Sequence, residues 1–142
     1  MSIRDNIIQA TKDHVKINLK DAEGGHDWFH TLRVYNNAKL ISKNEKVDKF
    51  VVALAALLHD IGKAPTKKFD EKIGWTFHAH EFVGSKMVYK LFKRLKMPLN
   101  EKMKFVQKMV FMSSRLIALA PDVTISAIRR LVFVAVDSIE DL

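Results

Sequence analysis

Val51 to Leu58 is an unbroken apolar run, VVALAALL, that ends on His59-Asp60. A helix apolar nearly all round has no face to give to water, so this one is predicted to be central and buried. An imidazole and a carboxylate at the end of such a helix lose hydration unless a cation or a partner offsets the cost. The chain must therefore wrap other helices around this run and hold a charged pair at the edge of its core, which points to a metal site.

A metal site needs further ligands, and His30 is the natural candidate. It lies in Gly25-His26-Asp27-Trp28-Phe29-His30, 29 residues before His59, a separation that suits two antiparallel neighbouring helices joined by a short loop. Together His30, His59 and Asp60 form a mixed nitrogen and oxygen set. Imidazole suits Zn, Mn, Fe, Co or Ni, and the carboxylate widens the choice to harder ions such as Mg. A divalent ion held there with open positions lowers the pKa of water toward about 7 and polarises a phosphoryl oxygen. Phosphate ester hydrolysis is the reaction class this suggests. The bland alternative is a helix C-terminus at which His59 favours the macrodipole and Asp60 begins a turn.

With 142 residues, the chain fits one domain, residues 1–142. It has no cysteine, so any metal rests on His, Asp or Glu, and the six histidines gain weight accordingly. No apolar run approaches the roughly 20 residues of a membrane span, and the N-terminus shows no apolar signal region, so a cytoplasmic protein without a membrane partner is expected. The formal charge of +8 suits a phosphorylated or nucleic-acid ligand. Many of the lysines, Lys86, Lys90, Lys93 and Lys96 among them, fall on what read as solvated helix faces.

Helical spacing organises the rest into an all-α bundle of about six helices. Ile3, Ile7, Ala10, His14 and Ile17 mark a first helix to about Lys20, with His14 a structural member of its apolar stripe. Gly24-Gly25 breaks it. A second helix from about Asp27 to Lys43 uses Phe29, Leu32, Ala38, Leu40 and Ile41, and Asp48 reads as the N-cap of the third. Ile61 to Thr76 reads as a charged loop beyond the dyad, placed to cover a substrate. Val83, Met87, Leu91 and Leu95 mark a fourth helix. Asn100 can cap a fifth through Met103, Val106, Val110 and Phe111, and a sixth runs from about Thr124 to the C-terminus. No strand pattern competes.

Leu57-Leu58-His59-Asp60-Ile61-Gly62-Lys63, with the upstream His30-Thr31-Leu32-Arg33-Val34, resembles the HD phosphohydrolase superfamily. The resemblance implies a helical domain that binds one or two divalent metals through a first His, the HD dyad and a distant Asp. It assigns His30, His59 and Asp60 as ligands. Residues from about Asp21 to Ile61 are similar to small stand-alone HD hydrolases that act on nucleotides. From about Leu57 to Leu142 the chain is similar to the HD region of bacterial tRNA nucleotidyltransferases, the CCA-adding enzymes. No strand-bearing segment with paired carboxylates precedes the HD part, so nucleotide addition to tRNA is not expected. The chain also departs from the CCA-type pattern: Ser113 stands where a His is expected, and Ile125 and Val134 where acidic residues are. Asp122, Asp137 and Asp141 are candidates for the distant metal Asp, each with a helix cap or exposed terminal role as its alternative.

Several other residues are candidates for the site. His78 and His80 could both face a second metal or a phosphate; the preferred reading turns only one inward, and His80, which the CCA-type pattern retains, is the choice. His26 could bind a phosphate or serve as an acid. Asp27 could orient His30 from behind or simply cap the second helix. Lys63 could stabilise a phosphoryl oxygen, and Arg33, Arg129 and Arg130 could clamp one or form surface ion pairs.

The leading expectation is a metal-dependent phosphohydrolase for a nucleotide or other small phosphate ester. Metal binding is assigned to His30, His59 and Asp60, catalysis to Asp60, His26 and Lys63, and substrate binding to Lys63, His80 and Arg33. The alternative is a degenerate HD domain that binds a nucleotide, RNA or protein without turnover. Leu131, Phe133 and Val134 of the last helix would suit either a core or a homodimer interface.

Overall fold

Asp48 opens the central helix of the fold, accepting hydrogen bonds from the backbone N–H groups of Phe50 and Val51 at 3.1 and 3.4 Å. That helix and its surroundings come from a computed structural model, which describes residues 2–20 and 27–117, the last four by backbone alone. The helices are α1 (Ile3–Asn18), α2 (Trp28–Ser42), α3 (Lys49–Leu58), the single turn α4 (Lys63–Thr66), α5 (His80–Arg94) and α6 (Glu101–Ile117). As the apolar run predicts, α3 is the hub, packing against α1, α2 and α6. Val51, Ala53, Leu54, Ala56, Leu57 and Leu58 are all buried. Val51, Leu54 and Leu58 cluster with Val15, Val88, Leu91, Val106 and Val110 from the surrounding helices, while Ala53, Ala56 and Leu57 cluster with Tyr35 of α2. The all-α class holds, and the expected sixth helix from Thr124 lies outside the described residues.

The helices stand where expected, but two of them are turned. On α1 the buried side is Thr11 and Val15, with Leu19 at its end, while Ile3 and Ile17 stay 80% and 74% exposed. The stripe Ile3-Ile7-Ala10-His14-Ile17 is thus replaced by one a residue further on. Both stripes have helical spacing, and Thr11 can enter the core because its hydroxyl donates to the Ile7 carbonyl at 2.8 Å. On α2 the buried side runs through Thr31, Tyr35 and Ser42, with Trp28, Leu32 and Ala38 packed beside it. Phe29, Leu40 and Ile41, expected in the core, are at least 63% exposed.

The expected loop from Ile61 to Thr76 is more structured than its charge suggests. After α4, strands β1 (Lys68–Asp70) and β2 (Gly74–Thr76) pair antiparallel with Phe69 opposite Trp75. Asp70 makes the turn, its carboxylate accepting from the N–H groups of Lys72 and Ile73 at 2.8 and 3.1 Å, and Gly74 takes the positive φ of 90°. Strands of three residues are too short to show alternation, which is why only the turn residues were visible. Asn100 caps α6 as expected, accepting from Lys102 N–H at 3.1 Å. Among the described residues no helix is long and apolar enough to cross a membrane.

Candidate metal centre

The centre forms where α3 ends. His59 is its C-cap, and the chain then turns tightly, with the Ile61 N–H donating to the Leu58 carbonyl and the Lys63 N–H to the Asp60 carbonyl. The turn folds Lys63 back over Asp60, so that Nζ lies 3.3 Å from Asp60 Oδ2. It is possible only because Gly62 faces α5 without a side chain. A Cβ at Gly62 would overlap the His80 carbonyl and come within 2.6 Å of the Gly84 backbone nitrogen. Gly84 in turn has no room for one, since it would meet Val110 Cγ1 at 2.9 Å. This glycine pair lets the HD turn seat directly on α5.

His30 arrives from the first turn of α2. Asp27 caps that helix, its carboxylate accepting from the His30 backbone N–H at 3.0 Å, so the cap role wins over a contact to the imidazole. The His30 side chain then reaches across to α3. His30 Nε2 lies 3.3 Å from His59 Nε2 and 3.6 Å from Asp60 Oδ2, and His59 Nε2 lies 3.2 Å from the same oxygen. On the far side of its ring, His59 Nδ1 is 2.7 Å from the Ala56 carbonyl, which can only accept. A neutral His59 therefore carries its proton on Nδ1 and turns the Nε2 lone pair toward His30 and Asp60, the tautomer that metal ligands use.

This donor set fits a divalent ion. The three ligand atoms lie within 4.8 Å of one another. Two ligands on one ion at about 2.1 Å are themselves separated by about 3.0 Å at a right angle and about 3.4 Å at a tetrahedral one, which matches the spacings here. Without a proton or a cation among them, two imidazole lone pairs and a carboxylate at these distances repel. Asp60 is also deeply buried, its side chain 3% exposed, so its charge depends on what lies beside it. Lys63 is the nearest fixed cation, with a side chain 4% exposed. Burial pulls the Lys63 pKa below its ordinary value, and the Asp60 carboxylate partly restores it.

The other expected residues divide. His80 is the first residue of α5, its carbonyl against Gly62, while His78 is exposed, so one of the two turns inward. His80 Nδ1 is 3.0 Å from the Phe77 carbonyl, and Nε2 is buried without a hydrogen-bond partner. Arg33 is exposed on α2, three residues after His30. His14 sits on α1, 3.4 Å from Asn18, away from the cluster. His26, Asp122, Asp137, Asp141, Arg129, Arg130, Leu131, Phe133 and the positions Ile125 and Val134 lie outside the described residues.

Sequence reasoning missed two things. Thr31, next to His30, is fully buried with no partner for its hydroxyl. Ser113 of α6, where the CCA-type pattern expects a His, has its hydroxyl 2.8 Å from the Val110 carbonyl and 3.2 Å from the His59 carbonyl, which share its one proton. That position thus abuts the dyad, although it is 54 residues away in sequence. No local signal could have placed it there.

Comparison with known proteins agrees with this geometry. The chain is 49% identical to the uncharacterized protein YpgQ of Bacillus subtilis over 43 residues, which is 30% of this chain and 21% of that protein. It is 38% identical to the multifunctional CCA protein of Pasteurella multocida over 71 residues, 50% of this chain and 16% of that protein. The matched segments thus span only about a fifth and a sixth of the two relatives' own lengths. No solved structure matches. The family model for the HD domain matches residues 28–132, a span that takes in His30, the dyad, the glycine pair and Ser113. By that match, and by the dyad that the fold sets against His30, the chain belongs to the HD domain family.

Proposed function

We propose that this protein is a metal-dependent phosphohydrolase acting on a nucleotide or another small phosphate ester. The observation that carries the reading is the convergence of His30 Nε2, His59 Nε2 and Asp60 Oδ2 at spacings of 3.2 to 3.6 Å. A divalent ion bound by these three would make water acidic and polarise a phosphoryl oxygen. In this reading Asp60 also accepts a proton from the attacking water. Lys63, whose ammonium sits against Asp60, neutralises the transferring phosphoryl group. An imidazolium at His80, with Nδ1–H on the Phe77 carbonyl, would donate from Nε2 to a phosphoryl oxygen, and exposed Arg33 reaches a more distal phosphate. His26 keeps its proposed role as acid. The nucleotide class is supported by the basic chain and by the name of the CCA relative.

A metal-binding isotherm and phosphate release from a panel of nucleoside mono-, di- and triphosphates, each with Mn, Ni, Co, Zn, Fe or Mg, test this. Stoichiometric uptake with turnover of at least one substrate is the expected result; a chain that takes up none of these ions overturns it. A second reading, an HD domain that binds a nucleotide or RNA without turnover, is favoured by Ser113, which brings a hydroxyl rather than an imidazole to the dyad. Uptake of metal and nucleotide with no release of phosphate would select it.

A further inference from the structure

A second polar region lies at the other end of the α2–α3 pair. Lys39 and Lys43 project from the C-terminal end of α2, and Lys49 from the first turn of α3, around a cleft of about 520 Å³. The volume falls in the range that holds a small ligand. All three lysines are exposed, and among the described residues none has an ion pair. Arg4 adds a fourth cation at the rim, 3.7 Å from Asp48 and stacked over the Phe50 ring at 5.0 Å.

The carboxylates nearby are occupied. Asp5, which also lines the cleft, accepts from the Ser2 N–H at 3.0 Å and the Ser2 hydroxyl at 2.7 Å in the cap of α1. Asp48 accepts from Lys102 Nζ at 2.6 Å and from the first N–H groups of α3. Four cations, Arg4, Lys39, Lys43 and Lys49, against the single carboxylate of Asp5 leave the cleft lining net positive, which raises the local concentration of anions. Apolar side chains share the lining with Ser2 and Ser42. Ile8, Phe50 and Ala53 are among these lining residues, and Lys39 lies over the Tyr35 ring at 5.3 Å. Cations beside apolar and aromatic side chains suit an anion that carries an aromatic group.

We propose that this cleft is a second ligand site, which takes a nucleoside diphosphate or triphosphate, with the phosphates among Lys39, Lys43 and Lys49 and the base against Phe50. It is separate from the metal centre. Phe50 and His59 are nine residues apart, as are Lys39 and His30, and nine helical residues span about 13 Å.

Isothermal titration of the full-length chain with ADP, pyrophosphate and adenosine, in the presence of EDTA, tests the site apart from the centre. ADP is expected to bind one per chain, more tightly than either of its parts. The double variant Lys43→Gln/Lys49→Gln, both at exposed positions, is expected to weaken ADP by about tenfold or more through two lost charge-assisted contacts, while Asp60→Asn leaves it unchanged. No ADP binding under chelation, or full binding to the lysine variant, overturns the proposal. Loss on Asp60→Asn would move the ligand to the metal centre and overturn it too. Pyrophosphate binding as tightly as ADP overturns the nucleotide assignment, and displacement of ADP equally by sulfate at matched ionic strength would reduce the cleft to general screening.

Discussion

Two aspartates bracket α3, and they are held in opposite ways. Asp48, at the N-terminus, keeps some contact with solvent, with a side chain 16% exposed, and satisfies backbone N–H groups and Lys102. Burial alone would raise its pKa, but the Lys102 hydrogen bond, those from Val51 and Phe50 and the Lys102 charge outweigh that and hold it below the usual carboxylate value. Asp60, at the C-terminus, turns Oδ2 to side chains of the site. It faces two imidazoles and Lys63 from a position closed to solvent. One carboxylate finishes a helix; the other is buried among two imidazoles and an ammonium. A protein arranged only for stability would have little reason to bury the second.

The largest effect that sharpens this contrast is on turnover. Asp60→Asn is expected to lower kcat by about a thousandfold, with unchanged far-ultraviolet circular dichroism. Retained activity in a metal-loaded sample would make Asp60 a structural residue like Asp48. Next comes Lys63→Met, which leaves the Asp60 carboxylate buried without its cation and should cost about 3 kcal/mol in a urea melt under chelation. Adding Mn should recover much of that, because the ion restores positive charge; a variant as stable as the parent would break the account of the buried pair.

A smaller effect falls on the turn between the two aspartates and α5. Gly62→Ala drives a methyl into the His80 carbonyl and should cost about 2 kcal/mol of thermal stability. Gly74→Ala, with open space around it and only a positive φ to strain it, should cost about 1 kcal/mol. Equal losses would mean that the close seating of the HD turn on α5 contributes nothing.

The smallest effect belongs to Asp48. Its replacement by Ala removes a cap and should cost about 1 kcal/mol at neutral pH. Because the folded-state pKa is depressed, the contribution is fully present above the ordinary value of 3.8 and is lost as pH falls below it through the folded-state pKa. Stability of Asp48→Asn, followed from pH 5 downward, should therefore decline less steeply than that of the parent, and parallel curves would remove Asp48 from the acid response.

Much of this was legible in the sequence for one reason: the strongest signals are local. Asp27, Asp48 and Asn100 could be assigned as caps because a cap acts within three residues. The central position of α3 followed from a run with no polar face. The faces of α1 and α2 were not legible, because Ile3-Ile7-Ala10 and Ile7-Thr11-Val15 satisfy the same period, and only the wall that α3 presents chooses between them. Nor was the hairpin, whose strands are shorter than the pattern that would reveal them.

The sequence by itself determined a helical HD domain, the three groups able to hold a metal, and the caps that start the helices around them. These are properties of neighbouring residues and of composition, and they survive without any knowledge of what packs on what. The tertiary structure alone decided that Lys63 folds back on Asp60, that Gly62 and Gly84 meet, that Ser113 reaches the dyad, and that Lys39, Lys43 and Lys49 surround one cleft. Each of these is set by which helices α3 holds together, and packing between distant segments leaves no periodic mark on either one.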